Sequence, residues 1–125
     1  MSAGRPLVGV PNFSEGRSER VCDALEATLS AHAIVLNVHV DAQHHRSVYT
    51  LSAEPGKIAE AMVAGAAQAV DQIDLRGHQG LHPHCGALDV APAVWVDDDQ
   101  HDDALAAARA TAEGIAALGI PVFLY

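Results

Sequence analysis

The chain has 125 residues, half of them apolar, and a formal net charge of −9 with its histidines neutral. That length builds one domain with a real core and is too short for two ordinary ones. The acidic balance argues against nucleic-acid and anionic-membrane binding, which draw on concentrated Lys and Arg.

Leu7 to Val10 is a short apolar run that predicts a strand, and Pro11-Asn12-Phe13-Ser14-Glu15-Gly16 reads as a loop from its turn residues. Val21, Leu25 and Leu29 recur every four residues and mark one face of a helix from about Ser18 to Ala31. Ile34 to Val40 alternates as a strand does, placing Ile34, Leu36, Val38 and Val40 on one side and Val35, Asn37 and His39 on the other. The polar stretch Asp41 to Arg46 turns the chain into a second strand, Ser47 to Ala53. Pro55 then opens a helix with Ile58, Met62, Gly65, Ala69 and Ile73 on one stripe, proline being tolerated at a first helical position. Ala87 to Val96 reads as a strand, with Pro92 marking an edge or a bulge. Asp97, Asp98, Asp99, Asp102 and Asp103 sit at the start of the next helix, where carboxylates complement the positive end of the dipole. That helix stops at Gly119, and Pro121 to Tyr125 predicts a last strand.

The order is β-α-β-β-α-β-α-β, whose first six elements form a split βαβ, ferredoxin-like unit. The expected fold is therefore α+β, a single domain over residues 1–125 with an extra αβ unit, a mixed sheet and helices on one face. With helices on one face only, the opposite face is expected to be apolar and to need a cover, which predicts a partner. The amino terminus lacks the order of a signal peptide, and no apolar run reaches membrane-spanning length. Cys22 falls in a helical pattern and Cys85 in a loop, so no structural disulfide is expected and the reading is cytoplasmic.

Chemistry concentrates in three polar loops. The densest runs from His78 to Asp89 and holds His78, His82, His84, Cys85 and Asp89, punctuated by Gly80, Pro83 and Gly86. Imidazoles titrate near neutrality, which suits proton transfer or metal ligation. The His78, His82, His84, Cys85 spacing matches no standard structural-zinc pattern, so no metal is expected. The other loops are Asn12 to Arg17 and Asp41 to Arg46, and Asn12, Ser14, Glu15, Asp41, His44 and Arg46 are more polar than turn-making requires. Arg17, Arg46 and Arg76 lie in or beside such loops, compatible with a local positive site in an acidic protein. Asp89, inside an apolar strand, needs a hydrogen-bond partner or a functional reason to be there.

Val10-Pro11-Asn12-Phe13-Ser14-Glu15-Gly16-Arg17, then His44-His45-Arg46-Ser47-Val48, then His78-Gln79-Gly80-Leu81-His82-Pro83-His84-Cys85-Gly86-Ala87-Leu88-Asp89-Val90 together resemble the amino-terminal subdomain of glutamate formimidoyltransferase, the transferase half of formimidoyltransferase-cyclodeaminase. The resemblance runs from Val10 to the final Val122-Phe123-Leu124-Tyr125. It implies transfer of a formimino group from N-formimino-L-glutamate to tetrahydrofolate as cosubstrate, a one-carbon step of histidine degradation, without a metal. It implies His82 as the catalytic general acid/base, with Asp41, His44 and Arg46 lining the same site; Asn12, Ser14, His78 and Asp89, from the same polar loops, are expected to join them as substrate-binding residues. It also implies a fold of the ferredoxin-like kind, with two subdomains packed sheet to sheet around a folate tunnel. Two positions depart from the resembled family: His84 stands where Arg is usual, and His45 where Asn is usual. The chain ends where that family continues, so either a second copy in a homodimer or a second subdomain is expected to complete the tunnel. The alternative is a non-catalytic half-domain that binds a folate-like ligand or a partner protein. A metal-dependent enzyme on the same scaffold stands as a third reading.

Overall fold

A computed structural model describes residues 6–73, 88–94 and 98–119. In chain order the elements are β1 (Leu7–Gly9), β2 (Asn12–Phe13), α1 (Glu19–Ser30), β3 (Ile34–Asp41), β4 (Arg46–Ala53), α2 (Pro55–Gln72), β5 (Leu88–Val90), β6 (Ala93–Val94) and α3 (His101–Ala117), with a 3-10 turn at Asp98–Gln100 leading into α3. β1 and β2 are one strand interrupted at Val10–Pro11, and β5 and β6 one strand interrupted at Ala91–Pro92. The interruptions meet: Val10 N–H donates to the Pro92 carbonyl at 3.0 Å, and Tyr49 N–H reaches across to the Pro11 carbonyl at 3.1 Å. Proline lacks the ladder donor, so each break falls where a proline makes it cheapest.

Taken as whole strands, the sheet runs β5/β6, β1/β2, β4, β3, and every described pairing is antiparallel. This is the strand order of a split βαβ, so the ferredoxin-like reading holds, but the described sheet is antiparallel rather than mixed, because this order inserts an oppositely directed strand between the two that run parallel. The predicted last strand, Pro121 to Tyr125, lies outside the described residues, as do the ends of the predicted Ala87 to Val96 strand.

The helices form where the sequence places them. Ser18 caps α1, its hydroxyl accepting from Val21 N–H at 3.3 Å, and the buried stripe is Val21, Cys22, Leu25 and Leu29. Pro55 occupies the first turn of α2, which buries Ile58, Met62, Gly65 and Ala69. α3 carries Asp102 and Asp103 in its first turn and ends at Gly119, whose φ of 84° is one that glycine adopts without strain. The buried Gln100 ahead of α3 donates from Nε2 to the Pro6 carbonyl at 3.0 Å, tying the last helix to the first strand.

One core joins these elements: Leu7, Phe13, Tyr49 and Leu51 from the sheet meet Leu25, Leu29, Ile58 and Met62 from the helices. Phe13 and Tyr49 pack edge to face with ring centroids 5.5 Å apart. The Tyr49 hydroxyl donates to the Cys22 carbonyl at 3.0 Å, and burial pushes both that phenol and the Cys22 thiol up from their ordinary pKa values. No described helix is long and apolar enough to cross a membrane.

Two expectations about the sheet need correction. Strict alternation fails in β3, because Val35 pairs with Leu51 while Asn37 pairs with Thr50, leaving Leu36 as the extra residue of a bulge. Past the bulge the facing inverts: Val35 and Val38 join the core side, whereas Leu36 and Ile34 are exposed. Val40 lines a cleft with Val38 and the α1 residues Cys22 and Asp23, so it also lies on the helix side. The face away from the helices is also less apolar than expected. Val8, Ile34, Val48 and Val94 are interleaved there with Asn12, Asn37, His39, Thr50 and Ser52, by the strand registers.

Candidate functional site

Arg46 opens β4 and alternates with the buried Ser47, Tyr49 and Leu51, so it belongs to the face away from the helices. Asn12 pairs with Val48 and shares that face. The two side chains meet across 34 residues of sequence: Arg46 Nη2 donates to Asn12 Oδ1 at 3.2 Å, and Asn12 Nδ2 donates to the Val10 carbonyl at 2.8 Å. The amide is thereby oriented, oxygen toward the guanidinium, and a planar donor fork is held at the rim of an open sheet face.

Asp41 ends β3 directly opposite Arg46. Its Oδ1 accepts from the His44 backbone N–H at 3.0 Å, and its Oδ2 lies 2.6 Å from His44 Nδ1. The backbone N–H first, and then the ring, hold the Asp41 carboxyl below the usual carboxylate range. A carboxylate at this distance needs a donor, which orients the ring with its Nδ1–H toward Asp41. Both groups are partly exposed.

The first loop lies directly on this hairpin. A Cβ added to Gly16 would stand 2.3 Å from the Asp41 carbonyl oxygen and 2.5 Å from both the amide nitrogen and the carbonyl oxygen of Arg46. Only a hydrogen fits there. Around the contact, Arg17 Nε donates to the Ala42 carbonyl at 2.8 Å, and Gly16 N–H donates to His45 Nδ1 at 3.0 Å. Glu15 Oε2 accepts from the Arg17 and Ser18 N–H groups at 2.9 and 3.0 Å and lies 3.3 Å from the same His45 nitrogen. His45 Nδ1 cannot accept from Gly16 and donate to Glu15 at once. The Gly16 N–H is aimed by the backbone and buried, so losing its acceptor costs more than loosening a carboxylate that already has two donors.

Of the residues expected at the site, Asn12, Asp41, His44 and Arg46 are thus gathered at one end of the sheet. Ser14 is in the same loop but fully buried. Asp89 has its backbone in β5, where Asn12 pairs with Val90 and Phe13 with Leu88, so Asp89 is the residue left over in a register shift beside the first loop. His78, His82, His84 and Cys85 lie outside the described residues. Among the described residues no group of three His, Cys, Asp or Glu side chains is placed to hold a metal. Glu15, one of the loop residues more polar than turn-making requires, and His45, marked in the sequence only as a departure from the resembled family, bind the two loops together. Their signal is a Glu-Gly-Arg-Ser run entering a helix, where a carboxylate collects free amides.

Gly16→Ala is expected to cost about 1–3 kcal/mol, because the new methyl meets backbone on two sides. Gly56→Ala, in open space within α2, should stabilise by up to ~1 kcal/mol; urea denaturation of the two variants checks the pair. The lowered Asp41 pKa adds stability that is present above the unfolded value near ~3.9 and is lost as pH falls through the folded one. His44→Ala should move the Asp41 titration upward, yet leave it below that value because the backbone donor survives. Carboxyl carbon shifts followed by NMR across acid pH measure this directly.

Residues 7–125 match the family model described as the formiminotransferase domain, N-terminal subdomain. The chain is 40% identical over 119 residues to a glutamate formimidoyltransferase of Streptococcus pyogenes serotype M1, covering 93% of this chain and 40% of that protein. A glutamate formimidoyltransferase of Thermoplasma acidophilum is also 40% identical over 119 residues, covering 39% of its length. The formimidoyltransferase-cyclodeaminase of Rattus norvegicus is 37% identical over the same span, 22% of its length. The chain therefore spans well under half of these relatives. On the matched motifs and the fold that carries them, this chain belongs to the formiminotransferase family, in its N-terminal subdomain.

Proposed function

We propose that this chain is a single-domain, folate-dependent formimidoyltransferase subdomain that acts in the cytoplasm on N-formimino-L-glutamate and tetrahydrofolate. The observation that carries the reading is the Arg46–Asn12 pair on the open sheet face, with the Asp41–His44 pair at its side. A fixed guanidinium suits a substrate carboxylate, which it grips with two parallel N–H bonds. β5, which follows the His-rich segment in sequence, pairs with β2 beside Asn12.

Transfer of an amidine carbon between two amines needs one proton removed and one supplied. N5 of the reduced folate attacks the formimino carbon and forms a C–N bond, while the attacking nitrogen gives its proton to His82. The tetrahedral intermediate then collapses: the bond to the glutamate nitrogen breaks, and His82 returns the proton to the leaving amine. One imidazole near neutral pKa serves both steps, which is why no second acid is required. His82 takes this role by resemblance, and His78 and Asp89 are assigned as substrate-binding residues. Arg46 and Asn12 hold a glutamate carboxylate, and Asp41 orients the His44 ring through Nδ1, leaving Nε2 for the substrate. Ser14 supports the loop from within. Tetrahydrofolate is a cosubstrate, and no metal enters the scheme.

Formation of 5-formiminotetrahydrofolate from formiminoglutamate tests the reading. His82→Ala should lower turnover by about 10²–10⁴-fold, and Arg46→Ala should raise KM for formiminoglutamate by roughly 10–100-fold, the loss of a charge-assisted hydrogen bond. Full turnover by the His82 variant removes that residue from the mechanism. Specific binding of reduced folate with no transfer under any condition would instead favour the non-catalytic half-domain.

The open face is expected to be covered by a second copy of the chain or by a second formiminotransferase subdomain, completing a folate-binding tunnel. A two-fold homodimer packed sheet to sheet is the simplest arrangement. Sedimentation equilibrium at micromolar concentration should then report about twice the chain mass of 13.0 kDa. A monomer leaves the second subdomain as the cover.

A further inference from the structure

We propose that His45 is a positioning residue: a neutral imidazole with its proton on Nε2, whose bare Nδ1 holds the Gly16 N–H and so locks the first loop onto the hairpin at the spacing where Arg46 meets Asn12. Three observations converge on it. The Gly16 N–H to His45 Nδ1 distance is 3.0 Å, and Gly16 is buried, so this acceptor replaces water that cannot reach the amide. His45 holds a φ of 55°, in the left-handed region, a conformation a non-glycine residue keeps when its side chain is engaged. The ring is 13% exposed, as is the Glu15 carboxylate facing the same nitrogen at 3.3 Å.

The consequence is specific to tautomer. A ring with a proton on Nδ1 turns from Gly16 to Glu15, gaining a carboxylate and stranding the amide. A ring bare at Nδ1 keeps Gly16 seated between Asp41 and Arg46, where no Cβ fits. Arg17 Nε on the Ala42 carbonyl holds the other side of the turn, so His45 and Arg17 together fix the loop at two points. Arg46 is the next residue after His45, and Asn12 is four before Gly16. Their alignment follows from this lock. The functional part of the proposal, that the alignment serves glutamate binding, rests on the reading under Proposed function.

The test uses the full chain and L-glutamate as probe. Nitrogen-15 shifts of the His45 ring report the tautomer, and hydrogen exchange at the Gly16 amide reports the lock. His45→Gly accepts the backbone conformation but offers no acceptor, while His45→Asn tolerates it and presents Oδ1 in place of Nδ1. The Gly variant should speed Gly16 exchange about tenfold or more and weaken glutamate binding about tenfold, with the Asn variant within about threefold of wild type on both. A proton found on Nδ1, or Gly16 exchange unchanged in the Gly variant, overturns the proposal. Wild-type protein that ignores glutamate but shows the expected tautomer and exchange overturns the functional reading alone. A Gly variant that fails to fold while the Asn variant behaves as wild type again assigns the role to the acceptor, since glycine relieves rather than adds backbone strain.

Discussion

The arrangement of the site depends on backbone lying against backbone at Gly16. The carbonyl of Asp41 and both polar atoms of Arg46 occupy the space where any side chain at position 16 would begin. Contact this close is attractive only if the polar groups that lose water find partners. The Gly16 amide finds His45, Arg17 finds the Ala42 carbonyl, and Glu15 collects the free amides at the start of α1. Removing the methyl group from position 16 lets these bonds form, and the bonds in turn hold the loop where the methyl is forbidden. Neither half of that arrangement is stable without the other. Buried polar networks of this kind favour one geometry strongly, because a partly satisfied version leaves donors stranded in a low dielectric.

Much of the fold was legible because the helices obey simple rules. Ser18 caps, Pro55 starts, Gly119 stops, and Val21, Leu25 and Leu29 fall on one stripe that the core buries. Pro92 marks an interruption, as a proline in a strand must. The β3 bulge was not legible. In Ile34-Val35-Leu36-Asn37-Val38-His39-Val40 apolar residues occupy both parities, so no pattern of two says where one residue is skipped. The register is decided by tertiary partners, Leu51 opposite Val35 and Tyr49 opposite Val38, both buried against helices that the strand itself does not encode.

The site was legible by residue type and opaque in its connections. Arg46 and Asn12 stood out as polar residues beyond turn-making needs, but their meeting depends on β2 and β4 being neighbours, a fact of topology. Asp41 and His44 are three apart, and a short-range pair of that kind is easier to foresee. Ser14 shows the limit of reading by type: a serine in a polar motif is here enclosed by the loop. His45 shows the opposite limit. Beside His44 it reads as one more turn histidine, whereas its left-handed backbone sends it to a different partner.

The tie between Gln100 and Pro6 joins positions 94 residues apart in sequence, and the sheet repeats the theme. β1 precedes the other described strands, yet its described neighbours are residues 51–53 on one side and 93–94 on the other. During synthesis the chain must emerge as far as β4 before β1 has any partner, and nearly to α3 before it is enclosed. A central strand that waits for both flanks places the sequence-distant contacts late and makes closure of the sheet the slow part of assembly. Over that interval the Leu7–Gly9 segment is an apolar strand without a ladder, the kind of surface that chaperones cover.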